Sequence, residues 1–232
     1  MTGTVLAVGG HIGDMDLTAG PTLAAHVLAG GRAVLLALTP GERGHPSLPP
    51  DEYRRQKIEE GEAFAAGIGA EFRVFADQSD GFLARTDEIA RRVADVIRDV
   101  RADVVVAHWR RSIHEDHENA CYLAERGRFL ANLPLDDDEP RHGVRRFLHA
   151  ENWEDADGFT PDLYLPIPDE AYDRWRAAIE GEAFARGETY GFRYIDYYDA
   201  VLRMRGCLAG VPRAAAFKTT TDAVDVLDVA DL

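Results

Sequence analysis

The chain has little cysteine and no long apolar run, and each shortage excludes a class of protein. It contains 2 cysteines, Cys121 and Cys207, which rule out a disulfide framework and fit a reducing compartment such as the cytoplasm. No apolar run reaches the roughly 18 residues of a transmembrane helix, so we expect no membrane partner. The N-terminus enters a predicted strand at once, so we also expect no signal peptide.

Basic residues are also scarce. The 26 Lys and Arg face 41 Asp and Glu, which gives a net charge of −15. Lysine occurs only at Lys57 and Lys218. Binding to a phosphate backbone requires a basic face, so this balance disfavours nucleic acid as a partner. We interpret the acidity as a source of solubility.

The chain is rich in short apolar runs that alternate with amphipathic stretches. Strands are predicted near 4–9, 32–38, 72–75 and 103–107, and helices near 17–30, 51–67 and 86–100. Strands that alternate with helices indicate an α/β fold with a parallel, doubly wound sheet.

The pattern loosens after residue 130. An acidic stretch at 135–140 is typical of a surface loop, and short strands near 147–153 and 163–167 precede a helix near 170–185. No linker is long enough to separate domains. We therefore expect one domain over 1–232, in which residues 131–232 form an extension that completes the site of the 1–130 core.

Polar residues follow the first predicted strand. The sequence Val8-Gly-Gly-His11-Ile-Gly-Asp14 ends that strand in a glycine turn that can point His11 and Asp14 the same way. Open α/β sheets bind ligands at this edge, and an imidazole with a nearby carboxylate suits two corners of a metal site. A helix cap or a simple hydrogen-bonded pair is the commoner explanation of such a motif.

The fourth predicted strand also ends in histidine-rich sequence, His108-Trp-Arg-Arg-Ser-Ile-His114-Glu-Asp116-His117. If the first and fourth strands are neighbours, His117 joins His11 and Asp14. Three ligands with an open position are typical of a catalytic zinc, which activates water or polarises a carbonyl. His108 fits either of two positions: behind a metal ligand, which it would orient, or on the surface at the end of the strand.

The His-x-x-Asp after the first strand, paired with the later His-x-Asp-His, resembles the PIG-L/LmbE family of metal-dependent de-N-acetylases. The resemblance implies a Rossmann-like parallel sheet flanked by helices, with a less regular C-terminal part. It also implies a small, sugar-containing substrate that loses an acetyl group. Zinc is the implied cofactor, although iron or another divalent ion is compatible, and family members often assemble as homo-oligomers.

Carried over by position, the resemblance implies that His11, Asp14 and His117 bind the metal. It implies that His114 stabilises the developing oxyanion and that Asp116 orients His114. These roles are chemically sensible, because a tetrahedral intermediate needs a donor beside its oxygen and a carboxylate fixes an imidazole tautomer.

The sequence departs from the family at one position. The usual turn reads His-Pro-Asp-Asp, and its first Asp is the general base, but Gly13 stands there in this chain. Asp16, Glu151 or Asp155 replaces the base, or the metal hydroxide suffices, or the protein is not a hydrolase. A metal-binding protein without hydrolase activity is therefore the alternative function, although bare metal binding would not require both His114 and Asp116.

Four residues are candidate substrate contacts. Arg43 and His45 lie in a loop rich in Pro and Gly at 39–50, and Glu151 and Trp153 lie in the C-terminal part. A nucleotide-binding protein is disfavoured, because the Gly9-Gly10 turn lacks the G-x-G-x-x-G spacing.

The missing base suggests a direct test. If only the base is absent, Gly13→Asp should raise amide hydrolysis, measured as acetate release. If neither form acts on a broad panel of acetamides, the metal-binding alternative is favoured.

Overall fold

The chain folds around a seven-stranded sheet in this computed structural model, which describes residues 3–134 and 140–220. Along the chain the strands are β1 (Thr4–His11), β2 (Arg32–Thr39), β3 (Glu71–Val74), β4 (Ala102–Ala107), β5 (Arg146–Ala150), β6 (Leu163–Pro166) and β7 (Ala214–Thr219). Their order in space is β3-β2-β1-β4-β5-β7-β6. The first five are parallel, and β7 runs antiparallel to both of its neighbours.

Helices cover both faces of the sheet, which confirms the α/β fold class. They are α1 (Asp14–Thr18), α2 (Gly20–Leu28), α3 (Pro50–Ile68), α4 (Asp87–Val100), α5 (Glu115–Ala131), α6 (Asp169–Ile179) and α7 (Tyr194–Ala209). One face carries α4 and α5, and the other carries the remaining helices.

Strand β1 shows why the core strands read as continuous apolar runs. Val5 and Ala7 pack in the core on one side of the sheet, and Leu6 and Val8 pack in the core on the other. Successive side chains point to opposite faces of a strand, so a strand covered on both faces is apolar at every position.

The topology brings the two histidine-rich segments together. β1 pairs in parallel with β2 on one side and with β4 on the other. The chain order reverses between β1 and β4, and a crevice opens beyond the carboxyl ends of such strands. The condition for bringing His117 near His11 and Asp14, that the first and fourth strands be neighbours, is therefore met.

Several predicted boundaries were wrong. The helix expected at 17–30 is broken at Ala19 into α1 and α2, because Pro21 has no N–H to continue the helical hydrogen bonds. The helix expected to reach 185 ends at Ile179, and both α7 and β7 were missed. The acidic stretch at 135–139 lies outside the described residues. No helix in the described part of the chain is long and apolar enough to cross a membrane.

Candidate metal centre

The three predicted metal ligands meet at the carboxyl end of the sheet. His11 ends β1, Asp14 begins α1, and His117 lies in the first turn of α5. The Asp14 Oδ2 atom lies 3.3 Å from His11 Nδ1 and 3.5 Å from His117 Nε2. Two imidazoles and a carboxylate at this spacing are a donor set that zinc and related divalent ions accept.

A carboxylate holds the outer nitrogen of each of these imidazoles. His11 Nε2 lies 3.1 Å from Asp80 Oδ1 and 3.2 Å from Asp116 Oδ2. His117 Nδ1 lies 3.0 Å from Asp155 Oδ1. Metal-binding histidines are usually oriented in this way, because the partner fixes the tautomer and raises the basicity of the inner nitrogen.

The charge around the triad also fits a cation. Burial alone would lower the pKa of His11, but Asp14, Asp116 and Asp80 together raise it well above its ordinary value. Burial and the positive charge of His108 lower the pKa of His117 to about 4, so its lone pair stays available. A divalent ion would balance the same carboxylates that otherwise favour a proton on His11.

His108 is buried beneath the triad and is not a surface residue at a strand end. Its Nδ1 lies 2.8 Å from Asp155 Oδ2, and its Nε2 lies 3.0 Å from Asp14 Oδ2. Burial opposes the charged form, but Asp155 and Asp14 outweigh it and raise the pKa of His108 to about 9. Its Nε2 also accepts from the backbone N–H of Gly10 at 3.1 Å. His108 therefore lies between one candidate ligand, Asp14, and the carboxylate of Asp155 behind another.

His114 and Asp116 differ from their expected relationship. The backbone N–H of Asp116 donates to His114 Nδ1 at 3.2 Å, which caps α5. The Asp116 carboxylate instead accepts from the backbone N–H of Gly81 and of Leu83, and it contacts His11. The helix cap thus fixes the His114 tautomer, with the proton on Nε2, and Asp116 orients His11.

The loop after β2 shapes the centre without placing its two candidate residues in the cavity. The Arg43 side chain is half exposed and bonds Ser79, although its backbone N–H donates to Asp80 Oδ2 at 3.1 Å. His45 Nδ1 accepts from the backbone N–H of Ser47 and of Leu48, so it stabilises the loop itself.

Of the remaining candidate bases and substrate contacts, some line the central cavity and others are buried or paired elsewhere. Glu151 pairs with Arg205 away from the central cavity. Asp155 is fully buried, and its two carboxylate oxygens are hydrogen-bonded to His108 and His117. Asp16 is buried beside Glu182 and does not line the central cavity. Trp153 lines that cavity, stacked on Phe192.

The cavity above the triad has a volume of about 400 Å³. Its wall combines the candidate metal-binding triad with aromatic side chains, which are Trp153, Phe184, Tyr190, Phe192, Tyr194 and Tyr198. Glu154 also lines it, with Oε2 3.5 Å from His117 Nδ1 and 22% of its side chain exposed. Burial, Asp14 and Asp155 raise the pKa of Glu154 to about 7.

Three residues of this site carried no recognised signal in the sequence. Asp80, Glu154 and Lys57 line the cavity, but they lie in different segments outside both histidine motifs. The only available hint was position, because Glu154 lies between the candidates Trp153 and Asp155.

The space of the usual family base is filled. Gly13 has φ +105°, and a Cβ built there would lie 2.3 Å from Phe184 Cζ and 3.1 Å from Lys57 Nζ. Position 13 therefore requires glycine for both its backbone and its surroundings.

Solved structures share this architecture. GalB, the 4-carboxy-2-hydroxymuconate hydratase from Pseudomonas putida KT2440, superposes with a TM-score of 0.87 at 23% identity, over 97% of this chain and 99% of that one. The conserved protein TT1542 from Thermus thermophilus gives 0.81 at 26% identity, with 96% of each chain covered. The N,N'-diacetylchitobiose deacetylase from Pyrococcus horikoshii gives 0.76 at 18% identity, over 94% and 83%.

Fold and site together define an α/β protein with a candidate metal centre at the switch point of its sheet. The model of the PIG-L family, GlcNAc-PI de-N-acetylase, matches residues 6–126, just over half of the chain. The chain belongs to the PIG-L family.

The Asp155 carboxylate gives a test of the metal centre. Asp155→Asn should lower zinc affinity by about tenfold to a hundredfold, because asparagine has no charge and offers one acceptor oxygen in place of the two that hold His108 and His117. The affinity is measured by competition with a chromophoric chelator. As a second test of the centre, mass spectrometry should find far less than one zinc ion per chain in His117→Ala. Asp157→Asn is the matched control, since that side chain is exposed. Unchanged zinc affinity in Asp155→Asn would contradict the assigned role.

The structure reverses the expectation for Gly13→Asp. The strained backbone and the contact with Phe184 should lower the free energy of unfolding by about 1–3 kcal/mol, without a gain in amide hydrolysis. Gly158→Asp is the control, because Gly158 also has positive φ but nothing lies within 4 Å of a Cβ there. Urea unfolding and acetate release check both points. Equal stability of the two variants, with faster acetate release by Gly13→Asp, would restore the original expectation.

Proposed function

We propose that this protein is a zinc-dependent amide hydrolase that removes an acetyl group from an N-acetylated amino sugar or a related small molecule. The observation that carries the proposal is the convergence of His11, Asp14 and His117 beneath one cavity. Membership of a de-N-acetylase family supports it, as does the fold shared with the chitobiose deacetylase.

The chemistry of the donor set explains the role of the triad. Zinc, or another divalent ion such as iron, would supply a water of lowered pKa and would polarise the acyl carbonyl. The protein's own contribution is orientation. Asp116 and Asp155 hold the two imidazoles from behind, so that their inner nitrogens face the same point as Asp14 Oδ2.

His114 is the proposed donor to the developing oxyanion. Its Nδ1 accepts the capping N–H, so its Nε2 carries the proton. That nitrogen lies on the cavity side, 3.9 Å from Asp80 Oδ1. A fixed donor beside the carbonyl oxygen stabilises the charge that forms there as water adds.

Glu154 is the proposed proton acceptor in place of the missing aspartate. Apart from Asp14 and Asp80, it is the one carboxylate among the described cavity residues that reaches the triad, and its Oε2 lies 3.5 Å from the outer nitrogen, Nδ1, of His117. Asp16 and Glu151 point elsewhere, and Asp155 has no free oxygen. Glu154 would take the proton of the attacking water and pass it to the leaving amine.

A second candidate function is the addition of water to a carbon–carbon double bond. Two observations favour it: the usual base is absent at Gly13, and the fold matches that of a hydratase over nearly the whole chain. Both reactions use a polarised carbonyl and one acid–base group, so the products distinguish them. Amide hydrolysis releases acetate, whereas hydration removes the absorbance of a conjugated alkene.

The role of Glu154 is tested by Glu154→Gln in the zinc-loaded protein. Loss of the proton acceptor should lower kcat for acetate release by about 10²- to 10⁴-fold, with zinc content unchanged. Glu151→Gln is the matched control and should keep near wild-type kcat, because Glu151 pairs with Arg205 outside the cavity.

Two outcomes would count against these roles. Full kcat in Glu154→Gln would remove Glu154 from the mechanism. A zinc-loaded wild type that releases no acetate from a broad acetamide panel would overturn the proposed hydrolysis, and alkene consumption by the same sample would support the hydratase.

A further inference from the structure

Lys57 is a buried cation whose hydrogen-bonding capacity is unused. It lies in α3, is 3% exposed and lines the central cavity. Its Nζ lies 3.7 Å from the centroid of the Phe184 ring. Within the described ranges 3–134 and 140–220, the ammonium has no hydrogen-bond acceptor and no carboxylate at ion-pair distance. A buried ammonium with unused donors is costly unless something in the cavity accepts from it.

Two buried carboxyl groups lie near Lys57. Asp16 and Glu182 each interact electrostatically with the ammonium from beyond ion-pair distance. Burial and Asp16 raise the pKa of Glu182 well above its usual range, and burial raises the pKa of Asp16 to about 6, so the pair carries less than its full negative charge. These groups offset part of the ammonium's charge and accept none of its N–H bonds, so its donors stay free for a ligand.

Lys57 stands beside the candidate metal ligands. Position 13 lies between His11 and Asp14, and a Cβ built there would be 3.1 Å from Lys57 Nζ. A cation therefore occupies the region into which an acidic side chain at position 13 would extend. A substrate bound at the triad would meet a positive charge on this wall.

The side chains around Lys57 determine which kind of chemical group can bind on this side of the cavity. Lys57 is the only Lys or Arg among the described residues that line the cavity. One ammonium matches the single charge of a carboxylate, whereas phosphate sites typically combine Arg side chains with backbone N–H groups. The neighbouring Phe184 ring excludes water and strengthens such an ion pair.

We propose that Lys57 binds a carboxylate of the substrate, so the substrate is an acyl compound with an acidic group close to the bond that water attacks. The inference rests on the proposed function of the metal centre. Lys57 thereby determines specificity and takes no part in proton transfer.

The test measures the binding of hydroxamates to the zinc-loaded protein by isothermal titration calorimetry. The probes are the monohydroxamates of malonate, succinate and glutarate, each compared with the analogue in which an amide replaces the carboxylate. Acetohydroxamate reports on the metal alone. Wild type should bind the best-fitting acid about tenfold to a hundredfold more tightly than its amide, the range of a hydrogen bond to a charged group.

Lys57→Met should lose this preference and bind acetohydroxamate as wild type does, because methionine keeps the stem against Phe184. Lys218→Met is the matched control, since the chain's other lysine pairs with Asp162 on the surface. It should keep the wild-type preference.

Three results would overturn the inference. Equal affinity of wild type for the acids and their amides would do so without any variant, and so would a preference that survives in Lys57→Met. A failure of every hydroxamate, acetohydroxamate included, to bind would overturn the proposed metal centre and this inference with it.

Discussion

The buried carboxylate of Asp155 is the contact on which the rest of the site depends. One of its oxygens holds His108 and the other holds His117, so a single side chain fixes both the deepest histidine and one candidate ligand. Burial opposes its charge, but the two histidines keep the pKa of Asp155 well below its usual range. It lies in a short turn after β5, at residues 153–155, so the C-terminal part of the chain contacts a centre whose candidate ligands lie within residues 11–117.

Much of this architecture could be predicted because local patterns specify it. Runs that are apolar at every position identified the central strands, and the glycine turn and the histidines located the ends of β1 and β4. The pairing of β1 with β4 follows from the usual topology of alternating strands and helices. The helix α7 was missed because its tyrosine-rich start was interpreted as core packing and surface residues. Its place in the chain becomes clear only together with β7, the strand that follows it.

The carboxylates around the triad could not be predicted in the same way. Asp80 reaches His11 across 69 residues, and Asp155 reaches His117 across 38. Nothing at position 80 differs locally from an ordinary surface aspartate, and Asp155 was named as a candidate base and not as the partner of His117. The role of Asp116 was misassigned for a related reason: the resemblance gave its position, but the loop at 81–83 decides which imidazole its carboxylate meets.

Gly13 and two of its neighbours form one consistent arrangement on this side of the cavity. Gly13 adopts a backbone conformation that disfavours a side chain, Phe184 fills the space that a side chain would need, and Lys57 places a positive charge beside it. These features are consistent with one another, because an aspartate at position 13 would clash with the Phe184 ring. The filled space and the buried cation support the proposal that this side of the cavity meets an acidic group of the substrate, above a candidate metal triad supplied by β1, α1 and α5.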